Sequence, residues 1–202
     1  KGCPLRCAWC HNPESQSFAE EELFYPERCA HCGRCREGCP RDARQTVGAS
    51  YEPEALLRLL LRDRAFYESS GGGVTFSGGE VMAQDEEYLL ALLRPLQRQG
   101  VSVAIDTCGH APYARFEAIL SYISLFLYDI KAMDADLHRR YTGADNFLIL
   151  ENAHRLCRAG ARLNARVPVI PGVNAEDGEM RAIARFVAEK MGGCPVSLLP
   201  YH

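Results

Sequence analysis

Gly71-Gly-Gly-Val-Thr-Phe-Ser-Gly-Gly-Glu80 is a short β-rich run, Val74-Phe76, that breaks at once into a polar glycine turn. The figure recurs along the chain. Val101-Asp106 runs into Asp106-Thr-Cys-Gly109, Leu125-Asp129 into Asp129-Ile-Lys131, and Val196-Leu199 into Pro200-Tyr-His202, with a further strand over Arg162-Val169. Between these runs lie helical patterns over Asp85-Gln99, Pro112-Leu120, Phe147-Arg158 and Ala175-Lys190, and Gly100 and Gly160 fall where helix C-caps belong. Another helix, about Pro53 to Tyr67, leads into the first strand on an apolar stripe of Leu56, Leu57, Leu60 and Leu61. Strands alternating with helices predict an α/β fold around a parallel sheet. In such folds the loops after the strand C-termini converge over the active site, which is where the unusual polar residues sit.

A chain of 202 residues, 47% of them hydrophobic, buries enough for one domain with a small appendage. The formal charge of -3 argues against a nucleic-acid partner, and no apolar run approaches the ~20 residues that span a bilayer. No secretory leader precedes Lys1, and the sequence reads as trimmed at both ends. Seven of the ten cysteines crowd into the start of the chain as Cys3, Cys7, Cys10, Cys29, Cys32, Cys35 and Cys39. Disulfide frameworks spread their cysteines, so this crowding predicts metal-bound thiolates in a reducing, cytoplasmic setting.

Cys3-Pro-Leu-Arg-Cys7-Ala-Trp-Cys10 places three thiols on one tight loop. A four-iron, four-sulfur cluster normally takes four cysteines, so three leave one iron open to a non-protein ligand. Zinc is the competing reading, although it favours paired C-x2-C units and four ligands. Cys29-x2-Cys32-x2-Cys35-x3-Cys39-Pro40 is the bacterial ferredoxin run and predicts a second 4Fe-4S cluster, again with zinc as the alternative. In two-cluster ferredoxins the fourth cysteine serves the other cluster. Either Cys39 closes this cluster or a cysteine outside the run does.

Six segments, in order, carry a resemblance: Lys1-Gly-Cys-Pro-Leu-Arg-Cys-Ala-Trp-Cys-His-Asn-Pro-Glu14, Gly71 to Glu80, Asp106-Thr-Cys-Gly109, Asp129-Ile-Lys131, Val169-Ile-Pro-Gly-Val-Asn174 and Leu198-Leu-Pro-Tyr-His202. Together they resemble the glycyl radical enzyme activating enzymes, the pyruvate formate-lyase activase family within the radical S-adenosylmethionine (SAM) superfamily. The resemblance covers essentially the whole chain, 1–202, trimmed at both ends, with 25–48 as a ferredoxin-like insert. It implies an incomplete, six-unit parallel βα barrel whose first strand precedes Lys1. It further implies that SAM chelates the open iron held by Cys3, Cys7 and Cys10, and that reductive cleavage gives a 5'-deoxyadenosyl radical. That radical takes a hydrogen from a backbone glycine of a partner lyase or dehydratase.

The same resemblance assigns roles at the strand ends. Ser77, Gly78, Gly79 and Glu80 match the turn that receives the SAM amino group, with Val81 where a proline is usual; an ordinary turn with a solvated Glu80 is the alternative. Asp106 and Asp129 match a monovalent cation site beside the SAM carboxylate, against a structural ion pair. Lys131 and His202 match positions that approach SAM. Arg166 steadies SAM or the incoming peptide if strand alternation holds, or makes an ion pair. Trp9 suits a wall by the adenine, or burial beside the cluster. His110, His138 and His154 are expected to be solvated or capping, and Cys108, Cys157 and Cys194 small buried residues. The implied partners are a glycyl radical enzyme and a flavodoxin or ferredoxin donor, with the protein itself a monomer, anaerobic and cytoplasmic. Rival readings are a radical SAM enzyme acting on another peptide or a small molecule, and a ferredoxin-like electron carrier.

Overall fold

The computed structural model describes residues 1–35 and 38–201, so the expectation for His202 lies outside the described residues. The first regular element is a hairpin. Strands β1 (Glu21–Phe24) and β2 (Arg44–Val47) pair antiparallel with Phe24 opposite Arg44, bracketing the ferredoxin-like run. Periodicity does not predict it, because neither strand has a buried face to impose alternation. The single helix expected before the sheet is two, α1 (Pro53–Leu60) and α2 (Arg64–Ser70), separated by one 3-10 turn.

The main sheet follows the sequence closely. Its strands are β3 (Gly73–Phe76), β4 (Ser102–Thr107), β5 (Leu125–Asp129), β6 (Leu163–Val169) and β7 (Val196–Pro200), all parallel and side by side in chain order. Helices α3 (Glu86–Arg98), α4 (Tyr113–Ile119), α6 (Phe147–Arg158) and α7 (Asp177–Lys190) make the crossovers. The open order agrees with the expected incomplete barrel. Pro168 is tolerated in the interior strand β6 because β5 has already ended at Asp129, opposite Arg166, so no neighbour needs the missing N–H.

Alternation along the strands separates core from site. Val103 and Ile105 of β4, Phe126 and Tyr128 of β5, and Ala165 and Val167 of β6 are buried with Leu93 and Leu96 of α3, Phe116 of α4 and Leu156 of α6. Each buried side chain of this size contributes roughly 1.5–3 kcal/mol. The intervening residues share the opposite, partly accessible face, and among them are Asp106, Asp129 and Arg166. A period of two therefore brings the three charged side chains to one side of the sheet.

An additional helix, α5 (Ala135–Thr142), lies between β5 and α6. Asp134 caps it, its Oδ1 accepting from the backbone N–H of Asp136 at 2.9 Å and of Leu137 at 2.8 Å. His138 is not solvated: it is buried on α5 with Nδ1 2.6 Å from the Ala144 carbonyl, and burial lowers its pKa. His154 does cap, with Nδ1 3.0 Å from Lys190 O at the end of α7. Cys108 is buried as expected, whereas Cys157 and Cys194 are only half-buried, since both lie toward the outer ends of elements. Among the described residues no helix is long and apolar enough to cross a membrane.

Candidate active site

A cavity of about 260 Å³ opens at the C-terminal ends of the main-sheet strands, lined by Cys3, Cys7, Trp9, Cys10, Ser77, Gly78, Gly79, Asp106, Cys108, Asp129, Lys131 and Arg166. All three cysteines of the N-terminal loop and most of the expected strand-end residues are thus gathered in one place. The loop is pinned from two sides. Glu80 N–H donates to Gly2 O at 2.7 Å on the β3 side, while Arg6 N–H and Ala8 N–H donate to Thr142 O and Tyr141 O at the end of α5, at 2.7 and 2.9 Å. Leu5, 1% exposed, anchors it in the core.

Two glycines are required by this arrangement. A Cβ on Gly79 would sit 2.3 Å from Gly2 O and 2.7 Å from Ser15 O, so any side chain there pushes the cysteine loop off the sheet. Gly78, at φ +133°, has no heavy atom within 4 Å of its Cβ position, leaving bare backbone facing the cavity.

Glu80 departs from expectation. It is 2% exposed and absent from the cavity wall. Its carboxylate accepts from Met82 N–H at 2.9 Å, Thr107 Oγ1–H at 2.7 Å and Cys108 N–H at 2.7 Å. It staples the turn after β3 to the turn after β4, so the alternative of a solvated Glu80 does not hold.

The charged residues form one chain of contacts. Ser77 Oγ–H donates to Asp106 Oδ2 at 2.9 Å, and Arg166 donates from Nη2 to Asp106 Oδ1 at 2.5 Å and from Nε to Asp129 Oδ1 at 3.0 Å. Lys131 Nζ closes the row on Asp129 Oδ2 at 2.8 Å. Burial alone would lower the pKa values of Lys131 and Arg166, but the neighbouring carboxylates overcome it and raise both. The place between Asp106 and Asp129 that the resemblance assigns to a monovalent cation holds Arg166's guanidinium here, in the ion pair that was the alternative. Lys131 is likewise buried and paired.

The thiols differ from one another. A hydrogen bond from Cys108 brings Cys3 down to about 7, with the Leu5 backbone assisting and burial opposing. Burial pushes Cys7 up to about 11 against the pull of Lys131. Cys108 itself is pushed well up by Cys3 and by burial, so it is the proton donor of the pair. Trp9 sits on the rim with its ring centroid 6.0 Å from that of Tyr141. Three thiols on one cavity wall, beside bare backbone and a row of charges, fit a three-cysteine cluster with a small charged ligand.

Sequence reasoning missed three buried asparagines that position this mouth. Asn174 Nδ2 donates to Lys131 O at 2.7 Å and Pro168 O at 2.6 Å, while its Oδ1 accepts from Ile170 N–H at 2.7 Å. Asn152 Nδ2 holds Gly109 O and Ala111 O, and Asn146 Nδ2 holds Ala132 O and Met133 O. Tyr201 and His11 stack across the rim at 5.5 Å.

The second thiol group is in the hairpin loop. Cys29, Cys32, Cys35 and Cys39 line a small cavity of about 30 Å³. His31 N–H donates to Cys29 Sγ at 3.4 Å and Ala43 N–H to Cys39 Sγ at 3.3 Å. Backbone amides near Arg41 and Ala43 lower the pKa of Cys39. His31 and Asp42 take left-handed backbone, at φ 52° and 51°, which winds the loop around the thiols. Four thiols are the donor chemistry of an iron–sulfur cluster, although among the described residues no three His, Cys, Asp or Glu side chains stand close enough to hold a metal ion.

Comparison with known proteins agrees with the site. Residues 1–184 match the Radical SAM superfamily. The chain is 41% identical to the trans-4-hydroxy-L-proline dehydratase activating enzyme of Clostridioides difficile, across all of this chain and 77% of that protein. It is 37% identical to the isethionate sulfite-lyase activating enzyme of Oleidesulfovibrio alaskensis, across all of this chain and 76% of that one. A solved domain of the pyruvate-formate lyase-activating enzyme from Bacteroides vulgatus superposes with a TM-score of 0.60 at 36% identity, covering 65% of this chain and 82% of that chain. Streptococcus suis SuiB bound to S-adenosylmethionine shares the fold, with a TM-score of 0.66 at 14% identity over 99% of this chain and 38% of that one. The chain therefore belongs to the glycyl radical enzyme activating enzymes of the radical SAM superfamily.

Proposed function

We propose that in this activating enzyme Cys3, Cys7 and Cys10 hold the SAM-binding 4Fe-4S cluster and that the strand-end row receives SAM. The carrying observation is the convergence of those three thiols with Ser77, Gly78, Asp106, Asp129, Lys131 and Arg166 on one cavity. When bound, the cluster and SAM supply a deoxyadenosyl radical that removes a hydrogen from the Cα of a partner's glycine. The protein's own part is to bind and orient. Gly78 offers backbone to the ligand, and Arg166 and Lys131 offer charge to its carboxylate. Trp9 walls one side. His202 completes the row in this reading, on the resemblance alone.

Arg166 has two uses here. If it turns to the SAM carboxylate, Asp106 and Asp129 are left facing each other, and a monovalent cation beside them then restores balance. The hairpin loop, in this reading, carries a second 4Fe-4S cluster on Cys29, Cys32, Cys35 and Cys39 and passes electrons inward from a flavodoxin or ferredoxin. The need for free thiols and a low-potential donor supports an anaerobic, cytoplasmic setting, with the enzyme meeting its lyase as a monomer.

Two variants test the cluster assignments. Cys7→Ser should abolish deoxyadenosine formation and remove about four irons, and Cys39→Ala should remove the second cluster alone, leaving about four of eight. Undiminished SAM cleavage by Cys7→Ser would overturn the first assignment, and unchanged iron and spectra in Cys39→Ala would overturn the second.

A further inference from the structure

The hairpin loop differs in charge from the protein that carries it. Residues 25–48 contain five arginines against three acidic residues, while the whole chain is at -3. Arg34 and Arg41 line the same small cavity as the four thiols, and both are exposed. Cys32 and Cys35 in the same lining are exposed too. Arg44 is engaged by Glu22 and lies over Phe24, and Arg28 lies over Tyr25 with Glu27 at 3.9 Å, so those two charges are partly answered within the hairpin. The outward positive charge is centred on Arg34 and Arg41, at the rim where the thiols reach the surface.

We propose that this arginine rim is the docking surface for an acidic one-electron carrier protein. Complementary charge steers such carriers to weak, short-lived contacts, and a redox centre at the surface needs little buried area to receive one electron. One electron passes from the carrier's reduced cofactor to the oxidised hairpin cluster, and no bond or proton changes hands. The proposal rests on the hairpin holding a cluster, as proposed above.

The test uses the full chain, reconstituted anaerobically, and a reduced acidic flavodoxin as the probe. Bleaching of the clusters is followed by stopped flow at low and high salt, with photoreduced deazaflavin as a small uncharged reductant. The bimolecular rate with flavodoxin should fall about tenfold or more as salt rises, and the double variant Arg34→Glu, Arg41→Glu should be about tenfold slower at low salt with little salt dependence left. Its reduction by deazaflavin and its iron content should match wild type. A flavodoxin rate independent of salt in wild type overturns the proposal, whether or not the variant folds. So does a variant that loses affinity for the partner lyase but keeps its flavodoxin rate. About four irons in wild type is a separate failure, that of the cluster reading beneath it.

Discussion

Arg166 and Asp106 meet at 2.5 Å across the intervening strand β5, although 60 residues separate them in the chain. The same guanidinium holds Asp129, so one planar cation joins two carboxylates from different strands. Lysine cannot reproduce that fork. Arg166→Lys and Arg166→Ala should both weaken SAM binding, by about tenfold or more in the alanine variant, with only partial recovery in the lysine variant. Equilibrium SAM binding to the reconstituted protein checks this.

If Asp106 and Asp129 take up a cation when SAM binds, SAM affinity should depend on whether sodium or potassium is supplied, and Asp129→Ala should lose that dependence. Equal affinity across cations would leave Arg166 and Lys131 as the positive charges at the pair.

Glu80 is a structural group in this fold, so its loss should be read in stability. Removing it leaves Cys108 N–H and Met82 N–H without their acceptor beside a buried Thr107 hydroxyl. Glu80→Ala should cost roughly 3 kcal/mol or more, seen as a lowered urea midpoint of the metal-free protein. Gly79→Ala should act differently: the sheet folds, but the cysteine loop is displaced and iron at the first site is lost.

Strand positions were legible because half-buried parallel strands alternate and break at glycine or polar turns; all five main-sheet strands lie within two residues of expectation. The charged row was legible for the same reason, since Asp106, Asp129 and Arg166 each alternate with the buried residues of their own strands. The burial of Glu80 was not legible because sequence shows a carboxylate after a glycine turn but not the two donors that come to it from β4's end. Helix α5 was missed because its residues are mostly polar, and only Asp134 and Gly143 mark its ends. The asparagines were missed because a buried carboxamide has no spacing rule; its partners are carbonyls from other loops.

Asn174 offers a test of positioning. Asn174→Ala removes two donors that hold the ends of β5 and β6 together, leaving Lys131 O and Pro168 O unpaired. SAM affinity should fall severalfold while iron content stays the same.

The metal-free thiols should also be distinguishable. With Cys3 near 7 and Cys7 near 11, at pH 8 Cys3 is mainly thiolate and Cys7 mainly thiol. Alkylation of the apo-protein read by peptide mass should reach Cys3 before Cys7, and the preference should narrow as pH rises toward the higher value. Cys108→Ala should slow Cys3 by removing its hydrogen-bond donor.

Electron paramagnetic resonance decides whether a radical is transferred to a backbone glycine. The reconstituted enzyme is incubated anaerobically with SAM, a reductant and a glycyl radical enzyme of the same organism. The partner is prepared once with ordinary glycine and once with glycine deuterated at Cα. A carbon-centred radical is expected whose large hydrogen splitting collapses on deuteration, with no signal from Cys7→Ser. A radical insensitive to the label, or one formed equally by Cys7→Ser, would contradict that transfer.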